Sequence, residues 1–198
     1  GSEMCIRDRG SSLHNDMLVH PMPTAMQRFY FSGDGEDRYS GVGMTASMYL
    51  QVRSGEMKLR SSDPRVQPDL NYNYFREEED LRRMRECVRL CSQVGEGPAY
   101  SDVIDYRVEP SEDVLLDDHA LNRWIRSNAS TSHHISSSCK MGLLSDSMAV
   151  VDQYGKVHGI EGLRIADASI MPDCIRANTN VPTMMIGEKI SEFVTHGK

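Results

Sequence analysis

Residues 131–142 read TSHHISSSCKMG, and residues 150–189 read VVDQYGKVHGIEGLRIADASIMPDCIRANTNVPTMMIGEK. These two runs decide how the rest of the chain is read. A histidine pair, His133 and His134, opens the first. In the second, an apolar run, Leu163 to Ala166, predicts a short strand ending at Asp167-Ala168-Ser169. The segment Asn178-Thr179-Asn180-Val181-Pro182 then launches a helix expected over about 182–194, with Met184, Met185, Ile186, Ile190 and Phe193 buried. Asn180 is the expected cap, because Pro182 follows at an early helical position where a missing N–H costs little. A histidine side chain takes or gives a proton near neutral pH, its ordinary pKa being about 6.5. On its residues alone, His134 is read first as a structural, hydrogen-bonded histidine and second as a base. A turn aspartate such as Asp167 is by itself weak evidence for a ligand.

Working outward, residues 77–94 carry Leu81, Met84, Val88 and Cys91 at helical spacing, with Arg and Glu between them. Acidic residues fill the first turn, and Gly95 and Gly97 end the helix. A second helix is expected from Asp117 or Asp118 to Asn128, burying Leu121, Trp124 and Ile125. The charged faces of both helices are expected to be solvated surface. Further upstream, Val42, Met44, Ala46, Met48, Leu50 and Val52 alternate along 42–53, which predicts a half-buried strand. Ser54-Gly55 is expected to turn it back into 56–60 as a hairpin. Residues 33–37 read as a polar turn. Strands followed by helices predict an α+β fold, an antiparallel sheet backed by helices.

The chain has 198 residues, 39% hydrophobic and 26% charged, as in ordinary globular domains. Its net charge of −7 and the lack of a Lys/Arg cluster argue against a nucleic-acid partner. No apolar run approaches the roughly 18 residues of a membrane-spanning helix. Residues 1–9, GSEMCIRDR, match the translation of a transposase-type sequencing adapter and are set aside from fold reasoning. Cys87, Cys91, Cys139 and Cys174 form no C-x-x-C pair. Cys87 and Cys91, four apart on a helix, suit packing. The expectation is a reduced, cytoplasmic chain with its targeting unread.

The run His134-Ile135-Ser136-Ser137-Ser138-Cys139-Lys140-Met141-Gly142 resembles the C-terminal hallmark H-x-x-x-[ST]-C-x-M-G of the glucose–methanol–choline (GMC) oxidoreductases. Val151 to Pro172 is similar to that family's closing FAD-contact segment, and Asn178 to Lys189 to its final helix. Gly55-x-x-x-Leu59-x-Ser61-x-Asp63-Pro64 resembles its substrate-domain hairpin. The likeness is strongest to choline-dehydrogenase-like bacterial members. It implies an FAD-dependent enzyme that oxidises the CH–OH group of a small alcohol, with oxygen, a quinone or a redox protein taking the electrons. By resemblance His134 is the catalytic base and Asn178 the amide that donates to the substrate oxygen. Asp167, Ala168, Asn180, Val181 and Pro182 contact FAD, and no metal is involved. Residues 10–145 would form the substrate-binding domain, and 146–198 the return into a Rossmann-type FAD domain that is otherwise missing, because no G-x-G-x-x-G follows a strand. The fragment alone is expected to be inactive. His133 sits where relatives often carry an aromatic residue, so packing and chemistry stay open for it. Ile135 and Ser137 replace a common Pro and Gly. Cys139 is expected to be structural rather than nucleophilic.

Other readings compete. A lyase on the same fold would hold FAD structurally and use His134 as base. A metal-dependent hydrolase would use His133, His134 and His158, but no H-E-x-x-H accompanies them. A non-enzymatic interaction module leaves the three linked blocks unexplained.

Overall fold

The computed structural model describes residues 5–6, 16–22 and 41–198. They fall into two compact units, residues 1–130 and 131–198. The expected boundary between 145 and 146 lies inside the second unit. The polar turn expected at 33–37 is outside the described residues.

In the first unit, β1 (Cys5–Ile6), β2 (Met17–Met22) and β3 (Gly43–Met48) form an antiparallel sheet in that order. Here β1 comes from the stretch set aside as adapter-like. The helical spacing of Leu81, Met84, Val88 and Cys91 builds α1, Glu78–Gly95. Its inner face meets the sheet in one cluster, where Cys87, Leu90 and Cys91 pack on Met17, Val19, Met44 and Ala46. Cys87 and Cys91 are free, buried thiols, and the Cys91 contact and burial push the Cys87 thiol well up. A second cluster joins Leu81 and Val88 of α1 to Leu115, Leu121 and Ile125. Those three come from α2 (Glu112–Leu116), which the sequence reading did not foresee, and α3 (Asp118–Asn128). Asp117 caps α3 by accepting from the Ala120 N–H.

The expected hairpin is corrected. β3 stops at Met48, Leu50 adopts φ +55°, and the Val52 N–H is taken by Asp80 of α1. The chain leaves the sheet there. β4 (Glu56–Lys58) then pairs with β5 (Asp69–Asn71), and β3 pairs with β2.

The solvated-face expectation for α1 is corrected too. Arg83 is 1% exposed and Asp16 and Asp80 are equally enclosed. Arg83 donates Nε–H to Asp16 at 2.8 Å and Nη1–H to Leu50 O at 2.9 Å, and its Nη1 also pairs with Asp80 at 3.3 Å. Burial nonetheless pushes the Asp80 carboxyl above its usual range, outweighing the Val52 N–H and Arg83. One side chain thereby ties together the start of β2, the end of β3 and α1.

The second unit is mostly loops closed on α4, Asn180–Thr195. Its core is Val151, Ile170 and Ile190, with Ile165, Ile186 and Phe193 packed around them. Each fully buried aliphatic side chain of this kind contributes about 1.5–3 kcal/mol. Ile186, Ile190 and Phe193 share one helical face, whereas Met184 and Met185 are 56% and 63% exposed, contrary to expectation. The strand expected before Asp167 is reduced to one bridge, Lys156 to Arg164. None of the described helices is long and apolar enough to cross a membrane.

Candidate functional site

The loop that carries His134 is built by main-chain hydrogen bonds. Ser137 N–H donates to Ala168 O at 3.2 Å, Cys139 N–H to Ser169 O at 2.9 Å, and Met141 N–H to Ile170 O at 2.9 Å. Residues 137–141 therefore run beside the 3-10 turn Ala168–Ile170, and on the other side Gly142 N–H donates to Val151 O. Lys140 pairs with Asp146 at 2.7 Å and holds that carboxyl below the usual range. His158 lies 3.2 Å from Gly142 O through Nε2.

Two left-handed residues shape the loop. His133 has φ +61° and donates its N–H to Thr131 Oγ1, with its side chain exposed. Ser137 has φ +66°, and its Oγ is buried with no hydrogen-bond partner. Ser137 thus holds a conformation that suits glycine, costing about 1–2 kcal/mol for a residue with a Cβ. Ser137→Gly is expected to raise stability by about 1 kcal/mol, because it removes both that strain and the orphaned hydroxyl. A higher urea midpoint at unchanged slope is the readout.

Past Asp173 the chain returns to His134. His134 Nδ1 lies 3.1 Å from Thr179 Oγ1, across 45 residues of sequence. The Thr179 backbone N–H points at the same nitrogen from 3.5 Å. Thr179 is 9% exposed and occupies the N-cap position of α4, one residue before the expected Asn180, without a capping bond from its side chain. Asn178, next to it, is exposed and makes no hydrogen bond to a described residue. Among the expected site residues, His134 and the Asn178-Thr179 segment are therefore brought together. Thr179 itself was not foreseen.

Asp167 precedes the 3-10 turn and accepts from Ser169 N–H at 2.8 Å, with the rest of its carboxylate exposed. Ala168 is half-buried, its carbonyl engaged by Ser137. Asn180 and Val181 open α4, both exposed, and Pro182 is half-buried in the same turn. No side chain caps that end and no acidic residue lies in its first turn. At Gly187 α4 faces the Ala166 carbonyl, and an added Cβ would meet that oxygen in ordinary contact at 3.9 Å. An apolar cavity of about 250 Å³ opens beside this helix between Met141, Met171, Pro172, Ile175 and Met185. Among the described residues no three His, Cys, Asp or Glu side chains gather as metal ligands. His133, His134 and His158 each have separate partners or face solvent.

Comparison with known proteins adds three findings. A family profile described as GMC oxidoreductase matches residues 51–187. The oxygen-dependent choline dehydrogenase of Burkholderia thailandensis is 36% identical over 193 residues, covering 98% of this chain and 33% of that protein. The enzyme of the same name from Pseudomonas putida is 38% identical over 189 residues, covering 96% and 32%. Among solved structures, a formate oxidase from Aspergillus oryzae RIB40, whose FAD modification was studied, superposes with a TM-score of 0.81 over 93% of this chain and 32% of its own. At 23% identity that likeness shows the fold. The chain spans about a third of the length of the curated relatives it matches.

Proposed function

Because the chain belongs to the GMC oxidoreductases, a family that depends on FAD, we propose that it forms the C-terminal part of an enzyme that oxidises the CH–OH group of a small alcohol. Residues 10–145 would supply the substrate-binding domain, and 146–198 would complete a Rossmann-type FAD domain whose phosphate loop lies on sequence not present here. The observation that carries the reading is the 3.1 Å approach of His134 Nδ1 to Thr179, beside Asn178. It turns the other ring nitrogen away from that contact, and among the described residues nothing occupies it.

FAD, when bound, supplies the acceptor for the hydride that leaves the alcohol carbon. The residues present fit it. The uncapped N–H groups of Asn180 and Val181 and the positive end of α4 suit the electron-rich edge of an isoalloxazine ring. The exposed Asp167–Ala168 corner suits a polar, extended ligand portion. His134 takes the hydroxyl proton through Nε2. Asn178 donates its amide N–H to the same oxygen as negative charge grows there. His133, exposed beside the loop, is given no role in proton transfer.

The names of the curated relatives support choline as the first substrate to test and oxygen as electron acceptor, ahead of a quinone or a redox protein. Choline added without oxygen to the full-length flavoenzyme is expected to bleach the oxidised-flavin absorbance. Substrate consumed with the flavin still oxidised would overturn the reading in favour of the lyase. An unchanged spectrum and no consumption with a panel of small alcohols would remove alcohols as the substrate class.

A further inference from the structure

We infer that Arg176 is a specificity-determining residue of this site, and that its guanidinium selects an alcohol carrying a carboxylate, such as a short hydroxy acid. The inference rests on the reading of the His134–Asn178 site as one that oxidises a CH–OH group.

The segment that carries Arg176 is tied at both ends to the His134 loop. At one end Ser136 Oγ–H donates to Cys174 Sγ at 3.7 Å. At the other, Thr179 meets His134 Nδ1 at 3.1 Å. Residues 175–178 therefore span a gap whose two ends lie beside the histidine loop. Within it Ile175 is half-buried and lines the apolar cavity, while Arg176, Ala177 and Asn178 are exposed. Two positions of chain reach at most about 7 Å, so Arg176 stands close to Asn178, the amide assigned to the substrate oxygen.

The other lysines and arginines of the second unit are engaged. Lys140 pairs with Asp146 and Lys189 with Glu192. Arg164 donates to the Tyr154 carbonyl, and Lys156 and Lys198 lie over the Tyr154 and Phe193 rings. Arg176 has no such partner among the described residues. Asp173, the carboxylate nearest to it in sequence, accepts the Cys174 N–H at 2.7 Å instead.

A guanidinium stays charged at any ordinary pH and presents its N–H donors in a planar fork that matches a carboxylate. A carboxylate on the carbon chain of a short alcohol can meet that fork with two parallel hydrogen bonds while the hydroxyl faces His134 and Asn178. The carboxylate takes no part in the chemistry: hydride still passes from the carbinol carbon to the flavin and the hydroxyl proton to His134. Choline would bring a quaternary ammonium toward the same guanidinium, and like charges brought together oppose binding. An anionic alcohol is therefore favoured over choline at this site.

Anaerobic flavin reduction of the full-length flavoenzyme by 3-hydroxypropanoate, 1-propanol and choline tests the inference. The hydroxy acid is expected to exceed both others in kcat/KM by about 10-fold or more. In Arg176→Ala it should lose about 10- to 100-fold, mainly through KM, the size of one hydrogen bond to a charged group. Under the same substitution 1-propanol should stay within about threefold and choline should improve. Arg176→Lys, which keeps the charge without the fork, should retain part of the preference. Propanoate, a carboxylate with no hydroxyl to oxidise, should perturb the flavin absorbance on binding, with a dissociation constant raised about 10-fold or more in Arg176→Ala. An unchanged preference in Arg176→Ala, an equal loss with all three alcohols, or loss of flavin from the variant overturns the inference, since the guanidinium would then serve the fold or the cofactor. In those cases reduction by 1-propanol or choline leaves the alcohol reading standing. No reduction by any of the three in the unsubstituted enzyme tells against the alcohol reading itself, and propanoate binding then still decides the role of Arg176.

Discussion

His134→Ala in the full-length flavoenzyme is expected to slow anaerobic flavin reduction by the alcohol about 10²–10⁴-fold, equivalent to about 3–5 kcal/mol of barrier. The size follows from what the side chain does and from what remains without it. The hydroxyl proton must leave as the carbon gives up hydride, and no other described base stands by Thr179 and Asn178. The His133 side chain is exposed, and His158 is engaged with the Gly142 carbonyl. On the proposed roles, Asn178 and the end of α4 would still favour negative charge on the substrate, so the residual rate is expected to stay above that of free flavin. Rapid mixing under anaerobic conditions gives the rate, and flavin content per protein checks that the variant still binds its cofactor. A rate within about threefold of the unsubstituted enzyme would assign the proton to another group.

Arg83→Ala is expected to be the most damaging single change to stability in the first unit, at about 3–5 kcal/mol. Removal of the guanidinium leaves Asp16 and Asp80 buried with no cation, and strips Leu50 O and Tyr49 O of their donor. Asp16 already has one carboxylate oxygen without a partner. Arg83→Met preserves much of the volume, so its loss should be nearly as large if charge rather than packing is responsible. Denaturant unfolding measures both. A loss below about 1 kcal/mol in each would mean that water enters and solvates the carboxylates.

The sequence carried the helices well, because their signal is local. The spacing of Leu81, Met84, Val88 and Cys91 survives as the inner face of α1, and Leu121 and Ile125 as that of α3. Arg83 was misread for the same reason. Helical spacing marks it as one of several arginines on a polar face, and its carboxylate partner Asp16 lies 67 positions away. The hairpin failed because alternation along 42–53 says nothing about Asp80 capturing the Val52 N–H and drawing the chain out of the sheet. At the site, the family-like blocks made His134, Asn178 and the Asp167–Ala168 corner legible as candidates. Thr179 was hidden between two asparagines that are better caps by intrinsic preference. Only the distant histidine explains why the threonine takes that position and then spends its hydroxyl elsewhere.

Three main-chain hydrogen bonds bind the His134 loop to the turn that follows Asp167. Their donors and acceptors belong to the backbone, so exchange of side chains along the loop leaves them in place. Ile135 and Ser137, which depart from the commoner Pro and Gly, can therefore vary while the frame persists. Such a strap fixes the distance between the His134 loop and the Ala168–Ile170 turn by main-chain geometry alone, and leaves the side chains on it free to be exchanged.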